Sequence, residues 1–197
     1  MPEKKSRLEQ QPVVAKAEQE PDVLAVPAIA LDATMSGKWK SASEASKLGF
    51  KLGPEGGVTK GGVEDFDVVL KMNAAGEPEQ ITVVIPTVKV TTFNSMRDES
   101  VHGAGYLNAP AFPKMGYTSA TIKKEGDKYI VDGDFEMLGK KAPVKLEVKF
   151  AAKGADKGKN YLVMVGKSSL DRTKFGMASD SKIGDNVDVT FEVEFRK

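Results

Sequence analysis

From residue 37 onward the chain alternates. Val144, Leu146, Val148 and Phe150 interleave with Lys145, Glu147 and Lys149, and Val187, Val189, Phe191, Val193 and Phe195 interleave with Asp188, Thr190, Glu192, Glu194 and Arg196. Tyr129, Val131, Phe135 and Met137 do the same against Asp132, Asp134 and Glu136. A two-residue period sets apolar side chains on one face of a strand and charges on the other. Further strands are expected over 47–52, 66–72, 81–90, 117–123 and 161–169. Turn signals separate them at Gly53-Pro54, Ala75-Gly76, Glu125-Gly126-Asp127, Gly139-Lys140 and Gly154 to Gly158. Eight or so strands at short spacing describe an antiparallel sandwich or a barrel. Strands of roughly ten residues with one-sided alternation favour the barrel, with a sandwich still open.

One interval breaks the alternation. Between Val90 and Met115 no two-residue period survives, and Asn94 or Ser95 is placed to cap a short helix over Met96–Val101 that stops at Gly103. A second short turn is expected near Leu107–Ala111. A helical excursion in an antiparallel barrel is expected to cover one open end.

Composition narrows the chemistry. Twenty-nine basic residues against 28 acidic ones leave a net charge of +1, too weak a field to recruit nucleic acid. The chain has no cysteine and a single histidine, His102, which disfavours thiolate catalysis, Ser-His hydrolysis and a conventional zinc site. No catalytic residue, metal or cofactor is expected. The glycines of Gly56-Gly57 and Gly61-Gly62 lack the spacing of a phosphate loop and read as a hairpin connection.

The lead segment differs from the rest. Residues 1–36 carry prolines and scattered charges without either period, and are expected to be a flexible N-terminal segment before a domain over 37–197. Lys4, Lys5 and Arg7 resemble the start of a signal peptide, but Glu9, Lys16, Glu18, Glu20 and Asp22 interrupt every apolar run of the required length.

Four segments then become recognisable in order. Met96-Arg97-Asp98-Glu99, followed by Ala109-Pro110-Ala111-Phe112-Pro113-Lys114-Met115-Gly116-Tyr117-Thr118-Ser119, resembles the YceI-like family's pattern of an Arg-Asp pair, an apolar helix and a Phe-Pro step into a strand. Gly133-Asp134-Phe135-Glu136-Met137, with Gly139 and Pro143-Val144, is similar to that family's Gly-Asp-Leu hairpin. Leu170-Asp171-Arg172-Thr173-Lys174-Phe175-Gly176-Met177, with Ile183-Gly184-Asp185-Asn186-Val187, is similar to its Leu-Asn-Arg-Ser-Asp-Phe-Gly and Val-Gly-Asp stretches. Leu138 stands where many relatives carry a polar or basic residue, and the opening strand lacks the family's Asp-x-x-His-Ser start.

The resemblance implies an all-β fold, an eight-stranded antiparallel lipocalin-like β-barrel with a short helical insertion capping one end. It implies binding rather than catalysis. The expected ligand is a long isoprenoid lipid, such as an isoprenoid quinone or a polyprenyl compound, held for transport or storage in the periplasm or after secretion. Transient membrane contact and a homodimer are the accompanying partner expectations. Two alternatives stand beside this reading: a packed-barrel, stress-related structural or interaction module, and an enzyme acting on an isoprenoid lipid.

An apolar tunnel needs aliphatic and aromatic walls, and the inward strand positions supply them. The candidates are Phe50, Phe66, Val68, Leu70, Ile81, Val83, Ile85, Tyr117, Phe135, Met137, Leu146, Val148, Phe191 and Val193. Arg97, Asp98, Phe112, Arg172 and Phe175 are candidates for the mouth and a polar head group. Asp171 and Arg172 also fit a turn-stabilising network around Phe175-Gly176. On this placement Val148→Trp is expected to block the tunnel and leave the barrel folded.

Overall fold

In a computed structural model, residues 22–53 and 58–197 are described. These residues form eleven strand segments and one α-helix: β1 (Gly37–Ser41), β2 (Lys47–Leu52), β3 (Thr59–Val63), β4 (Asp67–Met72), β5 (Pro78–Pro86), β6 (Val90–Thr91), α1 (Ser95–His102), β7 (Lys114–Glu125), β8 (Lys128–Met137), β9 (Lys140–Asp156), β10 (Lys159–Asp171) and β11 (Asn186–Arg196). All pairings are antiparallel, in the order β1-β4-β5-β7-β8-β9-β10-β11, and β11 pairs back to β1. Eight strands therefore close into the expected barrel.

The turns explain the meander. Leu138-Gly139 and Lys157-Gly158 each hold two successive residues at positive φ, the geometry of a two-residue hairpin whose twist matches the strands it joins. The turn expected across Gly154 to Gly158 is accordingly confined to its last two residues, and β9 runs through Gly154 to Asp156. The strand expected over 81–90 is also divided, because the chain makes a short 3-10 turn at Thr87–Lys89 after Pro86 and resumes as β6.

The barrel has two storeys. In the lower one β1, β4 and β5 pair side by side; in the upper one β2, β3 and β6 do, with β2 seated on the first half of β11. The lower storey is solid. Trp39, Leu70, Met72, Tyr129, Val131, Val148, Phe150, Leu162 and Phe195 are buried in one core, with Tyr129 edge-on to Phe150 at 5.7 Å.

Of the lead segment, residues 1–21 lie outside the described residues. Residues 22–36 run along the barrel: Leu24 is buried, and the Ile29 amide donates to the Phe150 carbonyl at 2.9 Å. The ammonium of Lys149, almost fully enclosed, donates to the carbonyls of Leu24 and Val26 and pairs with Asp127 at 2.7 Å. The Trp39 indole donates to Met35 O at 2.7 Å, so the last turn of this segment satisfies the polar atom of the largest floor side chain.

Two consequences are open to test. Trp39→Ala should lower stability by about 3–5 kcal/mol, as emptying a large buried aromatic site does, read as a shift in denaturant midpoint. Val148→Trp should destabilise the floor by overpacking instead of blocking a tunnel. A Val148→Trp protein with an unchanged midpoint would contradict the solid floor.

Candidate functional site

Above the floor the barrel is hollow. A cavity of about 340 Å³ occupies the upper storey, within the ~300–1,000 Å³ typical of small-molecule sites. Its lining on β11 runs from Val187 to Val193, about 20 Å of strand.

Twelve of the fourteen wall candidates line this cavity: Phe50, Phe66, Val68, Ile81, Val83, Ile85, Tyr117, Phe135, Met137, Leu146, Phe191 and Val193. Leu70 and Val148 do not. Each points inward as expected, but each sits one storey too low and is packed in the floor, fully buried. Alternation specifies which face a residue occupies and not its height in the barrel.

The hollowness has a local cause. Three wall aromatics bring the far ends of their rings over glycines on neighbouring strands. A Cβ on Gly61 would stand 2.2 Å from the Phe50 ring, one on Gly166 2.3 Å from the Phe191 ring, and one on Gly133 2.6 Å from the Tyr117 hydroxyl. Gly61 faces Phe50 and Gly166 faces Phe191 directly across the ladder. With no side chain beneath them the rings rest on the wall, and the lumen between them stays unfilled. Tyr117 donates to the Val131 carbonyl at 3.2 Å, and burial pushes its phenol well above the ordinary range, so it lines the cavity as a neutral group.

The mouth candidates separate. Arg97 and Arg172 line the cavity, whereas Asp98, Phe112 and Phe175 do not. Arg172 is 4% exposed, and its guanidinium is engaged with the loop that follows it, donating to Gly184 O at 2.7 Å and pairing with Asp185 at 3.3 Å. Asp171 caps the same turn by accepting from the Thr173 amide at 2.9 Å, and Gly176 ends it at φ +94°. The turn-stabilising network expected for this motif is present. Phe175 lies behind the wall, edge-on to Phe135 at 5.7 Å. Phe112 covers the outside of the Leu138-Gly139 hairpin, where a Cβ on Gly139 would meet its ring at 3.0 Å.

Asp98 anchors the lid. Asn94 caps α1 by accepting from the Arg97 amide at 3.0 Å, which selects it over Ser95. The Asp98 carboxylate then accepts from the Thr91 hydroxyl at 2.7 Å and from the Thr92 amide at 2.7 Å, while Arg97 Nε donates to the Thr92 hydroxyl at 2.8 Å. At the other end of the helix His102 Nε2 lies 2.7 Å from the Val90 carbonyl. Both ends of α1 are thus tied to β6. Partial burial pushes the Asp98 carboxyl up, but the hydrogen bonds from Thr92 and Thr91, with His102 nearby, outweigh it and hold the group below its ordinary value.

Sequence reasoning missed the lid side of the wall. Val90, Thr92, Ser100, Val101, Tyr106, Leu107 and Met115 line the cavity, as do Met177 and Ile183 from the loop before β11. Leu48, Leu52, Val144, Met164, Val187 and Val189, on strands the alternation predicts, belong to the wall as well, as do Val63 and Leu170, which lie outside those predicted strands. Gly56 and Gly57 lie outside the described residues. Among the described residues no group of three or more His, Asp or Glu side chains is placed to hold a metal ion.

The family description that matches residues 39–195 is the YceI-like domain. Protein YceI of Escherichia coli O157:H7 is 32% identical over 97 residues, which cover 49% of this chain and 51% of that protein. The chain thus spans about half the length of that curated relative in the matched region. Among solved structures, BcnA of Burkholderia cenocepacia superposes with a TM-score of 0.70 at 21% identity, covering 78% of this chain and 98% of the other. A polyisoprenoid binding domain from Saccharophagus degradans, implicated in plant cell wall breakdown, superposes with a TM-score of 0.57 at 13% identity, covering 81% and 98%.

Gly166→Ala should force the Phe191 ring off the wall and into the lumen, costing about 1–3 kcal/mol and shrinking the cavity in a crystal structure. The lid should also respond to acid. Because the folded Asp98 carboxyl lies below its unfolded value of 3.8, its anchoring is complete above that pH and is lost as pH falls through the lower folded value. Amide exchange of α1 should accelerate across that range, and Asp98→Asn should show the faster exchange already at neutral pH.

Proposed function

This chain belongs to the YceI-like family, and on that premise we propose that its upper storey carries a long-chain isoprenoid lipid for transport or storage in the bacterial envelope. An isoprenoid quinone is the leading ligand. The observation that carries this reading is the unfilled, almost wholly apolar lumen, in a barrel small enough for side chains to have filled it. A hydrocarbon tail gains about 25 cal/mol for each Å² withdrawn from water, so such a wall retains it without polar contacts. The Saccharophagus degradans domain, described as polyisoprenoid binding, has the same fold and adds support.

The alternatives fare less well. A barrel packed solely by its own side chains would be filled above the floor as it is below. An enzyme would need an acid or base in the lumen. Among the described residues the cavity lining contains no aspartate, glutamate or histidine, and its two arginines are both hydrogen-bonded to the protein. The geometry favours binding over turnover.

Organic extraction of the purified chain, followed by mass spectrometry and an ultraviolet spectrum, should yield a near-equimolar prenylated lipid. Leu146→Trp, which places an indole in the hollow instead of the floor, should lower that stoichiometry severalfold with a cooperative unfolding transition retained. A lipid-free extract from a host rich in isoprenoid lipids would overturn the carrier reading.

A further inference from the structure

The helix over the mouth is turned against its own polarity. Arg97, Ser100 and Val101 face the lumen, whereas Met96 faces outward and is 81% exposed. One turn earlier Phe93 is 76% exposed. Its backbone sits at φ +60°, a conformation that bulky residues rarely adopt, and its ring lies over the outer face of β3 at Gly62. The surrounding knot accounts for its persistence: the Thr91 hydroxyl accepts from the Phe93 amide at 2.9 Å while donating to Asp98, so the corner that projects Phe93 is fixed from both sides.

These side chains are not scattered. Of the exposed large hydrophobics among the described residues, Val88, Phe93 and Met96 fall within one short stretch, from the turn before β6 to the first turn of α1, and make an apolar rim beside that helix, while Val26 and Val58 lie in other segments. The rim is also where the wall is interrupted. β5 pairs with β7, but β6 pairs only with β3, and the chain between β6 and β7 is the α1 excursion. The exposed apolar rim therefore borders the side of the barrel that the ladder leaves open and that Thr92, Arg97, Ser100 and Val101 line from within.

We propose that Val88, Phe93 and Met96 form a docking surface for the face of a phospholipid bilayer, which seats the α1 side of the mouth against the membrane from which cargo enters. This rests on the carrier reading above. The charge pattern identifies the kind of surface. In the segment that carries the patch and in the β3 segment beneath Phe93, Lys60, Lys89 and Arg97 stand against Glu64, Asp65, Asp98 and Glu99. Such a rim has no net positive field to seek anionic lipid, and it complements a zwitterionic headgroup layer into which apolar side chains insert. A delivery protein or a second copy of the chain would cover the same patch, and the test separates them.

The full chain is floated with vesicles of phosphatidylcholine alone, with and without Phe93→Ser/Met96→Ser. Both positions are solvent-facing, so the double variant is expected to fold, checked by its unfolding midpoint. The wild-type chain should float, and equally so in roughly 1 M salt, where the Debye length falls to about 3 Å. The double variant should partition about tenfold or more weakly. Its capacity for lipid supplied in detergent should match the wild type, because neither residue lines the lumen. Failure of the wild type to float, equal flotation of the variant, or binding abolished by salt would overturn the proposal. So would a dimer in sedimentation that the double variant converts to monomer without any vesicle binding. A lipid-free extract combined with Phe93- and Met96-dependent flotation would uphold the docking surface and overturn only the carrier reading.

Discussion

The architecture depends on β11 pairing its closing edge with two different strands. Over Val187 to Glu192 its partner is β2, and at Phe195 and Arg196 it is β1. The chain from β1 to β2 must therefore step at Ala42–Ser46, and a step in a ladder leaves backbone groups without their regular partners. Local groups replace them. The Ala42 amide donates to Glu194 O at 2.7 Å, the Ser46 hydroxyl accepts from the Glu194 amide at 3.2 Å, and the Ser41 hydroxyl accepts from the Val68 amide at 2.8 Å. Because the first strand is split here, its neighbours are split too, and the barrel acquires two storeys.

The storeys divide the work. The lower one packs a tryptophan, three phenylalanine and tyrosine rings and aliphatic side chains into a buried core, with Ile29, Leu31 and Met35 of the lead segment packed against it. The upper one places rings over glycines and keeps its middle empty. Stability and capacity are thereby assigned to different residues. A change to the lumen wall need not weaken the floor, and distant sites of this kind act nearly independently.

Much of this was legible in the alternation. Strands β2, β4, β5 and β7 to β11, their inward faces and the helical interruption followed from side-chain period, with the cap narrowed to Asn94 or Ser95, whereas β1, β6 and the glycine-rich β3, read as a hairpin connection, did not. Height in the barrel did not follow. Val148 and Leu146 are successive inward residues of one strand, chemically alike, yet one is floor and the other lumen wall. What separates them is the position of the Ala42–Ser46 step on the far side of the sheet, which no local window around residue 148 contains. Likewise the lid's contribution to the wall lay in a stretch with no period, and the spacing of Arg97, Ser100 and Val101 runs opposite to the apolar-inward rule that makes helices readable.

The floor carries one more consequence. Trp39 is the chain's sole tryptophan, fully buried, with its indole nitrogen held by Met35 O and the Lys197 ammonium 5.7 Å from its ring. The protein's tryptophan fluorescence therefore originates at a single point beneath the lumen. That emission is a built-in optical gauge of the seal between residues 22–36 and the barrel. A molecule in the hollow overhead would leave the chromophore's immediate contacts intact, and would register through energy transfer if it absorbs in the near ultraviolet.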